Sequence, residues 1–227
     1  SVSIPRMLYG IEVVPLNQND ISELENAHKY NAKLIQGLPP SAPNPTIYST
    51  LGWLSMESYI SMIKIIFLWK IVINLRDTIY FKVIRFVSEK IIMGCYKSDG
   101  SPIHDMMRHA AKFGILKDIV DCVFSLECDL NFLSQKQSVK KLVTEHEFNR
   151  WKATCLMYGS LDIFRKASHK ISLNCWWYFV KIKPIMYKKV SSVVAVLVGT
   201  QPSGLQRNHG TRRCKLCDSD IEHSTHI

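Results

Sequence analysis

The stretch YISMIKIIFLWKIVINL, from Tyr59 to Leu75, is the one apolar run in the chain that approaches the length of a membrane span. It contains Lys64, Lys70 and Asn74, and charged side chains are costly inside a bilayer. We therefore predict a helix from about Ser55 to Leu75 that is largely buried in a helical bundle. We expect the two lysine stems to lie along its edge, with both ammonium groups reaching water.

Helical patterns also occupy the sequence on both sides of this run. Asn19 or Asp20 is predicted to cap a helix that ends at Gly37, because glycine favours a left-handed C-terminal turn and two prolines follow shortly afterwards. Asn44 or Thr46 is expected to begin a short turn after the proline-rich loop PPSAPNPT. Further helices are predicted over Thr78–Met93, His104–Phe113, Leu116–Ser125 and Val139–Tyr158. The predicted fold class is therefore mainly α.

The composition is that of a folded, basic protein. The chain has 227 residues, of which 47% are hydrophobic, and this content excludes collagen-like and disordered proteins. The formal net charge is +10. A positive charge of this size favours an anionic partner, either nucleic acid or an anionic membrane surface.

The cysteines favour a reducing compartment inside the cell, either nucleus or cytoplasm. Five of the seven occur singly in apolar or helical stretches: Cys95, Cys122, Cys128, Cys155 and Cys175. This distribution lacks the dense, regular spacing of a disulfide scaffold.

Aromatic and basic residues alternate in NCWWYFVKIKPIMYKKV, from Asn174 to Val190. Two interpretations are open. The aromatic rings could form a platform on which bases of a single strand stack, with lysines neutralising phosphates. Alternatively, the rings face a core and the lysines are simply solvated. The candidate phosphate-binding residues of this stretch are Lys181, Lys183, Lys188 and Lys189.

The segment CKLCDSDIEHSTH has the composition of a zinc site. The Cys214-x-x-Cys217 pair has the spacing that presents two thiolates to one tetrahedral Zn²⁺, and His223 or His226 can add an imidazole. The gap to the histidines is too short for a DNA-reading ββα finger, so a zinc knuckle is predicted. The alternative is a chance cysteine pair beside a histidine-rich end. Basic residues around this turn are further candidates for phosphate contacts: Arg207, Arg212, Arg213 and Lys215.

No cluster in the sequence predicts catalysis. Asp118, Asp121 and Cys122 share one turn of a predicted helix, and His104-Asp105 is an isolated pair. Both patterns are typical of an exposed helix face or a helix cap. No two acidic residues are adjacent anywhere in the chain, which speaks against a two-metal site for nucleotidyl transfer.

Three stretches near the start are IPRMLYGIEVVPL, ISELENAHKYNAKLIQGLPP and NPTIYSTLGWLSMESYI. Together they resemble the segment just downstream of the palm in reverse transcriptases of non-LTR (LINE-type, jockey-like) retrotransposons. In that family a Leu-Tyr-Gly and Glu element, a Leu-Glu helix ending in Leu-Pro, and a Leu-Gly-x-Leu turn recur in this order. This part of the resemblance covers roughly Pro5 to Leu75.

The stretch from about Val190 to Ile227 is similar to the C-terminal zinc-binding segment of the same family. There an apolar helix ending in Gly-Thr leads through a basic linker to Cys-x-x-Cys, a short acidic loop, His and a final Cys. Gly199-Thr200, the linker and the cysteine pair fit this order. The spacing makes His226 the family histidine and His223 an extra one, while the final Cys has no counterpart in the printed sequence.

The resemblance implies three segments: a thumb-like helical region over 1–77, a helical connector over 78–199, and a basic linker with a partial zinc knuckle over 200–227. The family's polymerase carboxylates, an isolated Asp and a Tyr/Phe-x-Asp-Asp box, would lie upstream of Ser1. We therefore expect a C-terminal segment of an RNA-directed DNA polymerase that is inactive alone. Its expected partners are RNA or DNA, zinc and the remainder of the parent polymerase, without a membrane.

Two other functions stay open on sequence grounds. One is an all-α protein-interaction module with a Cys/His tail, no nucleic-acid role and an incidental positive charge. The other is a membrane-associated protein that uses Tyr59 to Leu75.

Overall fold

The structure is a computed structural model, and it describes residues 8–94, 100–125, 130–158, 161, 175–198 and 200. These residues are mainly helical and no β-strand occurs among them, which confirms the predicted mainly α fold. The described α-helices are α1 (Gln18–Gln36), α2 (Asn44–Leu51), α3 (Met56–Asn74), α4 (Ile79–Ile92), α5 (Pro102–Lys112), α6 (Leu116–Phe124), α7 (Phe132–Cys155), α8 (Cys175–Ile182) and α9 (Tyr187–Leu197). A 3₁₀ helix, Pro184–Met186, precedes α9.

Local capping signals account for several helix ends. The predicted first helix is confirmed as α1, but its cap is Asn17, whose Oδ1 accepts from the backbone N–H groups of Asn19 (2.8 Å) and Asp20 (2.9 Å). α1 ends at Gly37, which has a φ of +65°, as glycine permits at little cost. The long helix predicted from about Ser55 to Leu75 is also confirmed, as α3.

Two helices differ in extent from the prediction. α2 is an eight-residue helix rather than a short turn, and Gly52 closes it with a φ of +65°. α7 begins at Phe132, seven residues before the predicted Val139. Asn131 explains the early start, because its Oδ1 accepts from the backbone N–H of Leu133 at 2.8 Å and caps the helix.

The chain divides into two compact units, each built from two separate segments. Unit 1 contains Ser1–Ser22 and Met56–His146, and unit 2 contains Glu23–Ser55 and Glu147–Ile227. α1 and α7 contribute residues to both units. The three segments implied by the resemblance, 1–77, 78–199 and 200–227, stay a prediction.

Unit 1 is organised around α3, which packs mainly against α5. The buried apolar side chains of α3 are Met56, Ile60, Ile65, Leu68, Trp69, Ile71 and Val72. α4 adds Phe81, Ile84 and Val87 at a spacing of three residues, which places them on one side of the helix. Burial of these faces explains why the most apolar stretch of the sequence lies inside a bundle.

Lys64 is a charged residue buried in the core of unit 1. Its side chain is fully buried, whereas Lys70 on the same helix is exposed. The Lys64 ammonium forms an ion pair with Asp105 Oδ2 at 2.5 Å and donates to the Val14 carbonyl oxygen at 2.6 Å. The prediction that both ammonium groups reach water is therefore right for Lys70 and wrong for Lys64, which meets a carboxylate from α5 instead.

Unit 2 has a core shared by α1, α2, α7, α8 and α9. Its buried members are Ala32, Leu38, Ala42, Ile47, Tyr48, Leu51, Trp151, Cys155, Leu161, Trp177, Val190, Val194 and Val198. The fully buried Gln36 donates from Nε2 to the carbonyl oxygens of Ala32 (3.0 Å) and Ile47 (2.8 Å). Thr50 Oγ1 donates to Gln36 Oε1. The side-chain amide of Gln36 thus links α1 to α2 through direct hydrogen bonds.

Replacing Lys64 by Met should destabilise the protein strongly, because the substitution leaves the buried Asp105 without its principal counter-ion. Breaking a buried ion pair on one side costs about 3–5 kcal/mol. The measurement is the free energy of unfolding from urea denaturation.

Lys70→Met is the matched control, since it changes the same residue type on the same helix at an exposed position. It should change the free energy of unfolding by less than about 0.5 kcal/mol. Equal losses in the two variants would contradict the role assigned to the Lys64–Asp105 pair.

Candidate nucleic-acid interface

The positive charge of the chain is concentrated in one segment. Residues 163–217 contain 11 of the 29 Lys and Arg residues and none of the 19 Asp and Glu residues. The rest of the chain therefore has 18 basic and 19 acidic residues, a net charge of −1. The whole positive excess lies in this segment, which we call the basic segment, and such clustering is typical of a surface that meets a polyanion.

Four predicted phosphate-binding lysines lie in the described part of the basic segment. Lys181 is the next-to-last residue of α8, and Lys183 immediately precedes the 3₁₀ helix. Lys188 and Lys189 lie in the first turn of α9. All four are exposed. The structure thus brings them to the surface around one helical connection of nine residues, where their ammonium groups can reach an external anion.

The aromatic residues beside these lysines divide between core and surface. Trp177 is buried in the unit 2 core, and its ring centroid lies 6.3 Å from that of Tyr187. Tyr178, the next residue, is 56% exposed. The core interpretation is therefore correct for Trp177, and the stacking interpretation stays open for Tyr178. The side chains of Trp176 and Phe179 lie outside the described residues.

The predicted zinc ligands and the linker arginines lie outside the described residues. These positions are Cys214, Cys217, His223 and His226, together with Arg207, Arg212, Arg213 and Lys215. Within the part of the chain that the structure describes, no group of three His, Cys, Asp or Glu side chains is placed to hold a metal ion. The zinc knuckle stays a prediction from the sequence.

Unit 1 contains a buried polar network that the sequence interpretation missed. Asp105 binds Lys64 through Oδ2, accepts from Arg108 Nη2 through Oδ1, and has His109 Nε2 at 3.7 Å from Oδ1. His104 and Asp105 are both buried, so they do not form an exposed helix face; they lie in the first turn of α5, where the Ser101 cap accepts from the backbone N–H of His104. The available signal was Lys64 itself, because a lysine on the buried side of an apolar helix requires a carboxylate partner.

His109 extends this network to a hydroxyl group of α3. Its Nδ1 lies 2.9 Å from Ser61 Oγ, so that hydroxyl, imidazole and carboxylate follow the order of a hydrolase triad, but with the two ring nitrogens exchanged. The Ser61 hydroxyl, however, donates its hydrogen to the Glu57 carbonyl oxygen at 2.7 Å and is fully buried. A substrate cannot reach this oxygen, and the histidine does not accept its proton. The arrangement is a satisfied part of the core.

Burial is the largest influence on His109 and lowers its pKa to about 4. Asp105 opposes this effect, while the positive charges of Lys64, Arg108 and Lys112 lower the pKa further. The imidazole is therefore neutral at pH 7. A neutral ring that donates from Nδ1 to Ser61 Oγ agrees with the direction of the serine hydrogen bond.

A cleft of about 590 Å³ opens beside the network. Its charged lining residues are Asp20, Asp105 and Arg108, and Ile91 and Leu116 are among its apolar ones. Carboxylates outnumber the guanidinium group, so the cleft has no excess positive charge with which to select a phosphate. The basic segment is the better candidate for an anion.

Two further observations concern the described cysteines and the apolar helices. Cys122 is disulfide-bonded, which is uncommon in a reducing compartment, and Cys155 is buried. No single described helix has both the length and the apolar character needed to cross a bilayer, and α3 and α4 meet those criteria only as a pair bent by 107°. The nuclear or cytoplasmic location stays a prediction.

No protein-family model, curated protein or solved structure matches this chain. The resemblance to reverse transcriptases therefore depends on the sequence elements quoted above alone.

The buried neutral state of His109 predicts a loss of stability in mild acid. Its folded-state pKa of about 4 lies below the ordinary value of 6.5, so the unfolded chain binds the proton more readily. The contribution is complete above pH 6.5 and is lost as the pH falls towards 4, by at most about 1.4 kcal/mol per pH unit. Urea denaturation between pH 7 and pH 4 measures it.

His109→Asn removes the titration and keeps a donor for Ser61, so its free energy of unfolding should fall less steeply with acid than that of the unmodified chain. His146→Asn is the control, because His146 is exposed on α7, and it should keep the original pH profile. His28 is also buried and has a lowered pKa, so the decisive quantity is the difference between variants. A His109→Asn profile parallel to the original one would contradict the assignment.

Proposed function

We propose that this chain is the region after the palm of a non-LTR retroelement RNA-directed DNA polymerase, and that it binds RNA or DNA without carrying the polymerase carboxylates. The observation that supports nucleic-acid binding is the separation of charge: the basic segment holds 11 basic and no acidic residues. The exposure of its four described lysines adds to this support. The sequence elements quoted above support the choice of parent family.

Binding of this kind depends on phosphate contacts. Each lysine or arginine that neutralises a phosphate releases condensed counter-ions, so affinity falls steeply as salt rises. Phosphates carry no base identity, and the contacts fix the position of the strand rather than its sequence. We therefore assign the basic segment a positioning role on template, primer or target, beside the catalytic part of the parent enzyme.

Zinc belongs to this proposal as a structural ion for the end of the chain. Cys214 and Cys217 supply two thiolates and His226 an imidazole, a donor set that fits tetrahedral Zn²⁺, with His223 as the additional donor. A metal held there would order the turn that carries Arg213 and Lys215. The tail would then present these cations as a group.

One observation favours the alternative of a protein-interaction module. α4 exposes Ile79, Val83 and Phe86 at helical spacing, with exposed fractions of 65%, 39% and 55%, on the side away from its buried residues. Exposed apolar stripes of this kind are found where protein partners bind. The alternative predicts that the four described lysines of the basic segment have no effect on nucleic-acid affinity.

Neutralising Lys181, Lys183, Lys188 and Lys189 together to Gln should weaken binding to RNA and DNA oligonucleotides. The slope of log affinity against log salt should fall by up to about 3, since each lost phosphate contact contributes about 0.7–0.9. Fluorescence anisotropy at several salt concentrations measures both quantities.

A second quadruple variant controls for net charge alone. Lys82, Lys117, Lys140 and Lys152 are exposed lysines outside the basic segment, and their replacement by Gln lowers the net charge by the same amount. This control should retain most of the affinity and the salt slope. Equal losses in the two variants, or salt-independent binding of the unmodified chain, would count against the proposal.

The zinc knuckle has its own test. Purified chains should hold about one Zn²⁺ each, and Cys217→Ser should remove it, as measured by elemental analysis after gel filtration. His209→Asn changes a histidine of the linker outside the ligand set and should leave the metal content unchanged. A metal content that is insensitive to Cys217→Ser would rule out this ligand assignment.

A further inference from the structure

α8 has a buried side and an exposed side that differ in chemistry. Trp177 is buried in the unit 2 core, and Val180 packs against the same core. Tyr178 and Ile182 are exposed by 56% and 57%, and Lys181 is exposed between them in sequence. Residues three and four apart are neighbours on a helix, so ring, ammonium and aliphatic side chain share one surface.

Exposed apolar and basic residues also follow α8 in the sequence. Ile185 in the 3₁₀ helix is 88% exposed, and Lys183 and Lys188 on either side of that helix are exposed as well. Exposed apolar side chains and cations thus alternate along the sequence from Tyr178 to Lys188. No acidic residue occurs in this part of the sequence, so none of its own carboxylates offsets the attraction of these cations for an anion.

We propose that this surface binds an unpaired strand of RNA or DNA, with one base stacked on the ring of Tyr178 and adjacent phosphates bound by Lys181 and its neighbours. The inference rests on the proposed function and names the form of its substrate. Lys181 follows Tyr178 by three residues, slightly less than one helical turn and about 4.5 Å along the axis. A base on the ring and a phosphate on the ammonium group can therefore belong to the same short stretch of strand.

The tyrosine ring is the reason for choosing an unpaired strand. In a duplex the faces of the bases are already stacked on one another, and lysines alone suffice to bind the phosphates. In a single strand the faces are open, and stacking on an aromatic side chain adds affinity for any base. Tyr178 supplies such a ring beside cations, whereas Trp177 cannot, because it is buried.

The test compares three variants by fluorescence anisotropy with labelled single-stranded DNA, single-stranded RNA and duplex DNA of equal length. Tyr178→Ala should weaken single-strand binding about 5- to 100-fold, the range for loss of one stacked base. Duplex binding should change less than twofold. Tyr178→Phe should bind single strands as the unmodified chain does, because the ring is retained. The DNA and RNA arms show which source of unpaired strand is preferred.

Tyr30→Ala is the matched control, since Tyr30 is 66% exposed on α1 and lies outside the basic segment. It should leave single-strand binding unchanged. The urea midpoint of Tyr178→Ala should equal that of the unmodified chain, because the side chain is exposed. If the midpoint of Tyr178→Ala is lowered, single-strand affinity is compared between Tyr178→Phe and Tyr178→Leu instead. Tyr178→Leu keeps the apolar bulk without the aromatic face, so it should bind single strands more weakly than Tyr178→Phe.

Several results would overturn the inference. These are unchanged single-strand affinity in Tyr178→Ala, equal losses for single strand and duplex, or a loss in Tyr178→Phe as large as in Tyr178→Ala. Vesicles containing phosphatidylserine form a further arm, and Tyr178-dependent binding to vesicles without Tyr178-dependent binding to oligonucleotides would also overturn it. The proposed function fails separately, if neutralising the four lysines leaves all nucleic-acid binding intact.

Discussion

Unit 1 depends on the ion pair between Lys64 and Asp105, because an ammonium group inside an apolar helix has to be neutralised where it lies. α3 provides many of the buried apolar side chains, and its buried Lys64 favours packing that brings a carboxylate to the ammonium group. Asp105 meets this group in the observed register of the two helices. In that register His109 also reaches Ser61, and the Lys64 ammonium holds the carbonyl of Val14 ahead of α1.

Several charged side chains of unit 1 form ion pairs with one another. Lys64 and Arg108 share Asp105, and Lys112 binds Glu57. The basic segment of 163–217 has no carboxylate in its sequence with which to form such pairs. The net charge of +10 therefore comes from one continuous segment. This clustering supports the proposed nucleic-acid interface better than a uniform distribution of the same charge would.

Local patterns predicted the helices well, because a helix end depends on groups within a few residues. Gly37 ends α1 as expected, and the glycine needs no distant partner to adopt a positive φ. The sequence pattern predicts a start of α7 at Val139, whereas the Asn131 cap begins the helix seven residues earlier, at Phe132. The candidate interface was partly predictable, because lysines without nearby carboxylates are exposed in nearly any fold.

The sequence by itself determined the helical class, most helix ends and the concentration of positive charge, since these follow from backbone preferences and from composition along the chain. Only the tertiary structure decided that Lys64 is buried, because its partner Asp105 lies 41 residues away and nothing local identifies it. The same holds for Trp177 and Tyr178, which are adjacent aromatic residues with opposite environments. Which of them faces the core depends on the helices that α8 packs against, and that choice is made by the fold as a whole.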